Sequence, residues 1–75
     1  MKTSEDIEQA ILIGTIIKRR RKSLMMNLRE FAAEAGVSTG EVWKWEEGVH
    51  LPRSHHQRKL VQILGVKSWD ELIRE

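Results

Sequence analysis

The chain has 75 residues, with 13 Lys and Arg against 11 Asp and Glu for a net charge of +2, and no cysteine. A chain this short admits one domain, burying only about 60% of its extended surface, and without cysteine it has neither disulfide staples nor thiolate metal sites, which suits a reducing interior such as the cytoplasm. No apolar run approaches the roughly 20 residues of a membrane span, and Glu5, Asp6 and Glu8 stand where a signal peptide would carry basic residues, so no membrane contact is predicted.

The first helix starts near Thr3 or Ser4, where Thr3 and Asp6 have capping-box spacing, and runs to about Ser23 or Leu24. At 100° per residue Ile13 and Ile17 form one face, with Ile7 and Ile11 to one side and Leu12 and Ile16 to the other. So wide an apolar belt exceeds what one side of a small bundle covers. Either the C-terminal segment or a second subunit meets the remainder, and a homodimer through this extended helix is expected. Five consecutive basic residues, Lys18 to Lys22, close the helix. They read equally as a solvated end that suits the helix dipole or as phosphate contacts. Arg21 lies on the Ile13–Ile17 face and is expected to point inward.

Asn27 is a good N-cap for a second helix in which Leu28, Phe31, Ala32 and Ala35 recur at helical spacing. Gly36 ends it in the left-handed conformation that glycine adopts without a Cβ penalty. Ser38 caps a third helix from Thr39 to about Glu47, with Glu41 placed to complete a capping box and Val42 and Trp45 turned inward. Gly48 closes it. Residues 49–53 form a loop, because Pro52 forbids a continuing helix and holds Leu51 extended. A fourth helix follows from Ser54, read as its cap, to Leu64, with Leu60, Val61 and Leu64 on its core face, His55, His56 and Gln57 on its exposed side, and Gly65 as its stop. Adjacent histidines point about 100° apart on a helix, and His50 belongs to another element, so no metal site is predicted. Ser68 and Glu71 have capping-box spacing for a short last helix that packs through Trp69, Leu72 and Ile73. No glycine-rich phosphate loop, cysteine nucleophile or carboxylate pair in a cleft is present, which predicts neither enzyme chemistry nor a cofactor.

Two short helices joined by a tight glycine-containing turn constitute a helix-turn-helix, whose second helix can enter the DNA major groove. The residues Ala32, Gly36, Val37, Ser38, Val42, Trp45, Glu46 and Gly48 resemble, in spacing and type, the phage-repressor and Cro-like (Xre-type) helix-turn-helix family. Ile13, Gly14, Ile17 and Arg21 look like that family's first helix, and Pro52, Leu60, Leu64 and Val66 like its fourth, so the resemblance spans about residues 13–66. Residues 1–12 are then a helical extension and residues 67–75 a short C-terminal helix of the same domain, 1–75. The resemblance implies an all-α lambda-repressor-like bundle of about five short helices. It also implies a transcriptional regulator, more a repressor than an activator, that binds double-stranded DNA by sequence.

By the same resemblance Arg21 pairs with Glu46 as a structural ion pair. Thr39, Gly40, Glu41, Trp43 and Lys44 face base edges, while Asn27, Leu28, Arg29, His50 and Arg53 meet phosphates. Lys44 has the donor chemistry for guanine, Glu41 can accept from cytosine N4, and Thr39 or the Trp43 ring can touch a thymine methyl. Leu28 stands where the family carries a glutamine, and Gly40 where it carries a reading side chain. Glu41, Glu46 and Glu47 against Lys44 give the third helix a formal charge of −2, and only Glu46 has an evident partner. If Trp45 is core, Trp43, about 200° round the helix, is exposed. Its occupant is DNA or, in the alternative reading, a protein partner, with the fold serving as an interaction or dimerisation module.

Overall fold

Each helix begins where a short polar side chain can stand in for missing backbone partners, with one exception. In the computed structural model, which describes residues 3–74, the Thr3 hydroxyl accepts from the Asp6 N–H (3.2 Å) and the Asp6 carboxylate accepts from the Thr3 N–H (3.1 Å), which starts α1, Ser4–Ser23. Met1, Lys2 and Glu75, the outermost residues of the expected 1–75 domain, lie outside the described residues. The same reciprocal pair between Asn27 and Glu30, at 2.8 and 2.9 Å, starts α2, Leu28–Ala35. Gly36 then takes φ 74°, ψ 30° and stops it. The Ser38 hydroxyl accepts from the Glu41 N–H (3.1 Å) to start α3, Thr39–Glu46, with Glu47 as its C-cap. Among the described residues these helices, α4 (Ser54–Leu64) and α5 (Trp69–Ile73) are the only regular elements, and no strand is present.

Three local expectations are corrected. Ser54 is the first helical residue of α4 and Arg53 its cap, and a guanidinium has no lone pair to offer, so the helix lacks a side-chain cap. Only the serine halves of the boxes at α3 and α5 form. The Glu41 carboxylate turns instead to the indole N–H of Trp45 (2.9 Å), and the Glu71 carboxylate accepts from the Lys67 N–H (3.3 Å) rather than from Ser68. In each case another donor lies within reach of the same side chain.

The core gathers Ile13, Ile16 and Ile17 of α1, Phe31, Ala32 and Ala35 of α2, Val42 and Trp45 of α3, Leu60 and Leu64 of α4, and Leu72 of α5. Val61 and Trp69 are only half-buried. Contacts between α1 and α3 and between α2 and α3 are the most extensive, so α3 is held from both sides while its outer face stays open. α1 and α3 approach backbone to backbone at Gly14, where a Cβ would stand 2.4 Å from the Trp45 carbonyl oxygen and 2.5 Å from that of Glu46. α5 packs on α1 and α4, yet Ile7, Ile11 and Leu12 remain 49%, 50% and 49% exposed. None of the described helices is long and apolar enough to cross a membrane.

Candidate nucleic-acid interface

α3 is fixed from beneath by charge as well as by packing. Arg21 donates from Nε to Glu46 Oε2 (2.7 Å), from Nη2 to Glu46 Oε1 (3.0 Å) and from Nη1 to the Met26 carbonyl (2.8 Å). The Glu46 hydrogen bond raises the Arg21 pKa above its ordinary value, against the opposing effect of burial. Two parallel N–H···O bonds to a carboxylate fix orientation as well as distance, so the pair sets the roll of α3 on α1. Thr39, Gly40, Trp43 and Lys44 consequently share the exposed side of α3.

Glu41 sits apart from them. Its Oε2 accepts from the Trp45 indole and lies 3.5 Å from His50 Nε2, so that oxygen is engaged within the domain. The formal charge of −2 over Thr39 to Glu47 stands, since an indole N–H carries no charge, but two of its three carboxylates have partners. Glu46 is bound to Arg21 and Glu41 to Trp45 beside His50, which leaves the exposed Glu47 as the unengaged carboxylate of that helix end among the described residues.

The start of α3 and the start of α4 converge on one cleft of about 500 Å³, lined by Ser38 and Glu41 on one wall, Arg53, His55 and His56 on the other, and His50 from the loop between. Arg53 is exposed and His50 half-buried. At the uncapped N-terminus of α4 the first N–H groups have no intrahelical acceptor, and with Arg53 they favour an anion on that wall, opposite the Glu41 carboxylate. His56, read from sequence as exposed, is instead half-buried with its ring centroid 5.3 Å from that of Trp45, and its Nδ1 is buried without a hydrogen-bond partner. Burial, then the neighbouring His55 and Arg53, lower its pKa below the usual histidine value, while Glu41 works in the opposite direction. Gln57 likewise turns inward, donating to the Pro52 carbonyl (3.0 Å).

At the start of α2 the anticipated phosphate contacts divide. The Asn27 N–H is already taken by the Glu30 carboxylate, an anion seated at the helix N-terminus, and the Asn27 side chain is occupied by the Glu30 N–H. Leu28 packs against the core through its side chain and contributes only its backbone N–H, whereas Arg29 is exposed. Glu30 had a signal in the sequence, the Asn-x-x-Glu spacing of a capping box. His56 had none, because its burial depends on where α4 lands against α3. No group of three or more His, Asp or Glu among the described residues is arranged to hold a metal ion.

The family model described as helix-turn-helix matches residues 17–72, which takes in the end of α1, all of α2 to α4, and α5 as far as Leu72. Among curated proteins none matches the chain. The matched family is one of regulatory DNA-binding domains. With most of its length under that match and an all-helical bundle to correspond, the chain belongs to the Cro/C1-type, Xre-like family of helix-turn-helix DNA-binding transcription regulators.

Proposed function

We propose that the chain is a sequence-specific reader of double-stranded DNA, acting in the cytoplasm as a homodimeric repressor with α3 in the major groove. The observation that carries this reading is the cleft shared by the starts of α3 and α4, beside the exposed side of α3. A helix that lies in a groove needs its flanking backbone contacts on the neighbouring element, and Arg53, His50 and the free N–H groups of α4 supply them there. Thr39, Gly40, Trp43 and Lys44 then face base edges. Glu41 orients Trp45 and His50 instead of reading a base, and the N–H groups of Leu28 and Arg29 with the Arg29 side chain take a phosphate on the far side of the groove. Dimerisation uses the exposed Ile7, Ile11 and Leu12 of α1.

Selection of bound sequences from a random duplex pool tests base reading and symmetry together. Enrichment of a motif in paired half-sites is the expected outcome, with affinity falling in log salt at a slope of about −0.9 per neutralised phosphate. No enrichment and a flat salt response would refute it. Repression is read from a reporter carrying the enriched site over its promoter, where occupancy lowers transcription. A second reading, a protein-interaction module, is favoured by the 50% exposure of Trp43, since an indole left half in solvent is a common interface anchor. Trp43→Ala discriminates the two. It changes sequence preference in the DNA reading and abolishes self-association or partner capture in the other.

A further inference from the structure

At 100° per residue Ser4, Glu8, Ile11, Thr15, Lys18 and Lys22 fall within about 80° of one another on the side of α1 turned away from the core. Their alternating steps of four and three residues are those of a seam at which one helix packs along another. All are exposed except the half-buried Lys18, and Leu12 lies exposed at the edge of the stripe. The middle of this seam is apolar. Ile11 and Leu12 offer their side chains, and the Thr15 hydroxyl donates to the Ile11 carbonyl (3.0 Å), which leaves its methyl group for a neighbour.

The two ends of the seam carry opposite charge. Glu5 and Glu8 stand in its first half, Lys18 and Lys22 in its second. The basic half is also concave, a groove of about 490 Å³ lined by Thr15, Lys18, Arg19, Lys22 and Ser23. Long basic side chains cover apolar neighbours with their stems and keep their charge in water, so this groove suits a side chain that is aliphatic at its base and anionic at its tip. Glutamate has that form. A second copy laid parallel would set lysine on lysine and glutamate on glutamate. Turned end for end, it sets each acidic half against a basic one, and the two helix dipoles oppose as well.

We propose that a second copy of this chain docks antiparallel along the outer face of α1, with Glu8 of each copy against Lys18 of the other. This rests on the homodimer reading and adds to it a direction and a register. With Glu8 opposite Lys18, Ile11 meets Thr15 of the second copy, Ser4 meets its Lys22, and the two Leu12 side chains come together at the twofold axis. The apolar centre attracts without setting a direction, and the charged ends exclude the parallel arrangement. Because the ion pairs lie at the surface, the association is weak and salt-sensitive.

The lack of cysteine makes disulfide trapping selective, because any cross-link reports introduced thiols alone. Glu8→Cys and Lys18→Cys are oxidised separately and as an equal mixture. Positions 8 and 18 lie about 15 Å apart along one helix at 1.5 Å per residue, whereas a disulfide joins Cα atoms less than about 7 Å apart. The mixed disulfide is therefore expected to predominate over both self-linked dimers. Glu8→Lys should raise the dissociation constant in sedimentation equilibrium about tenfold, from two exposed pairs lost, and adding Lys18→Glu to the same chain should restore it. Self-linking through position 8 as the main product would show a parallel pair, and a dimer mass without mixed cross-linking would put the second copy on another face. Either result overturns this arrangement and leaves the homodimer reading standing. An unchanged constant in Glu8→Lys, or a double variant no tighter than the single, overturns the pairing in the same way. A mass of one chain at high micromolar concentration would sink the homodimer reading and this one with it.

Discussion

Replacing Arg21 with methionine isolates the contact that sets the roll of α3. The substitution keeps much of the aliphatic volume but removes three hydrogen bonds, of 2.7, 3.0 and 2.8 Å, and strands the Glu46 carboxylate. That carboxylate belongs to a side chain only 3% exposed. Removing one partner of a buried ion pair costs about 3–5 kcal/mol, chiefly because the remaining charge stays desolvated. At about 0.05–0.15 kcal/mol per residue, a domain of this length has roughly 4–11 kcal/mol in total. The variant should therefore lose about half its stability, a fall of about 3–5 M in urea midpoint for a slope near 1 kcal/mol per molar. Urea unfolding followed by circular dichroism measures this. The double variant Arg21→Met, Glu46→Leu removes both charges and is expected to recover to within about 1 kcal/mol of wild type or to exceed it. A loss below about 1 kcal/mol in the single variant would put the pair in the class of solvent-exposed bridges. A double variant no better than the single would show that the penalty is not a stranded charge.

Gly14→Ala should destabilise by at least about 1–3 kcal/mol in the same urea assay, the range for overpacking, because its Cβ would meet two carbonyl oxygens at 2.4 and 2.5 Å; a neutral result would mean that α1 and α3 part easily. His56 has a folded-state pKa below its unfolded one, so near pH 6.5 and below the unfolded chain takes up the proton first and stability falls as pH drops toward the folded value. His56→Phe should flatten that part of the stability–pH curve, and an unchanged slope between pH about 5 and 7 would assign it to other groups. Lys44→Ala should alter sequence preference, whereas Arg53→Ala should weaken all duplexes alike and lower the salt slope by about 1. Equal effects of both variants on specific and random DNA would undo that division of roles.

Helices α2 and α3 were legible because their signals are local. A capping side chain, apolar residues at helical spacing and a glycine in the left-handed region all lie within a few positions of one another. Arg21 was legible for a related reason, since its place on the Ile13–Ile17 face follows from angle counting, with the family resemblance naming its partner. The fate of Glu41 was not. The sequence Ser-Thr-Gly-Glu offers a box, but an indole N–H one turn further along competes for the same carboxylate, and only the packed position of Trp45 decides between them. His56 and Gln57 were misplaced to the exposed side of α4 because the burial of that helix's first turn depends on its docking against α3 and the loop before it. The engagement of Asn27 by Glu30 shows the converse: the signal was local and readable, and it removes one of the N–H groups assigned to phosphate.

The crossing at Gly14 and the guanidinium–carboxylate clasp fasten α1 to α3 at two separate points, so the two helices behave as one stiff body. If two copies meet along α1, the separation and twist between their groove-entering helices are built into each chain, with no joint to adjust them. One inserted base pair between half-sites turns the second face of the duplex by about 35°, since B-form DNA repeats every 10–10.5 pairs. Such an assembly would tolerate almost no variation in operator spacing and would discriminate among genomic sites by phase as strictly as by letter.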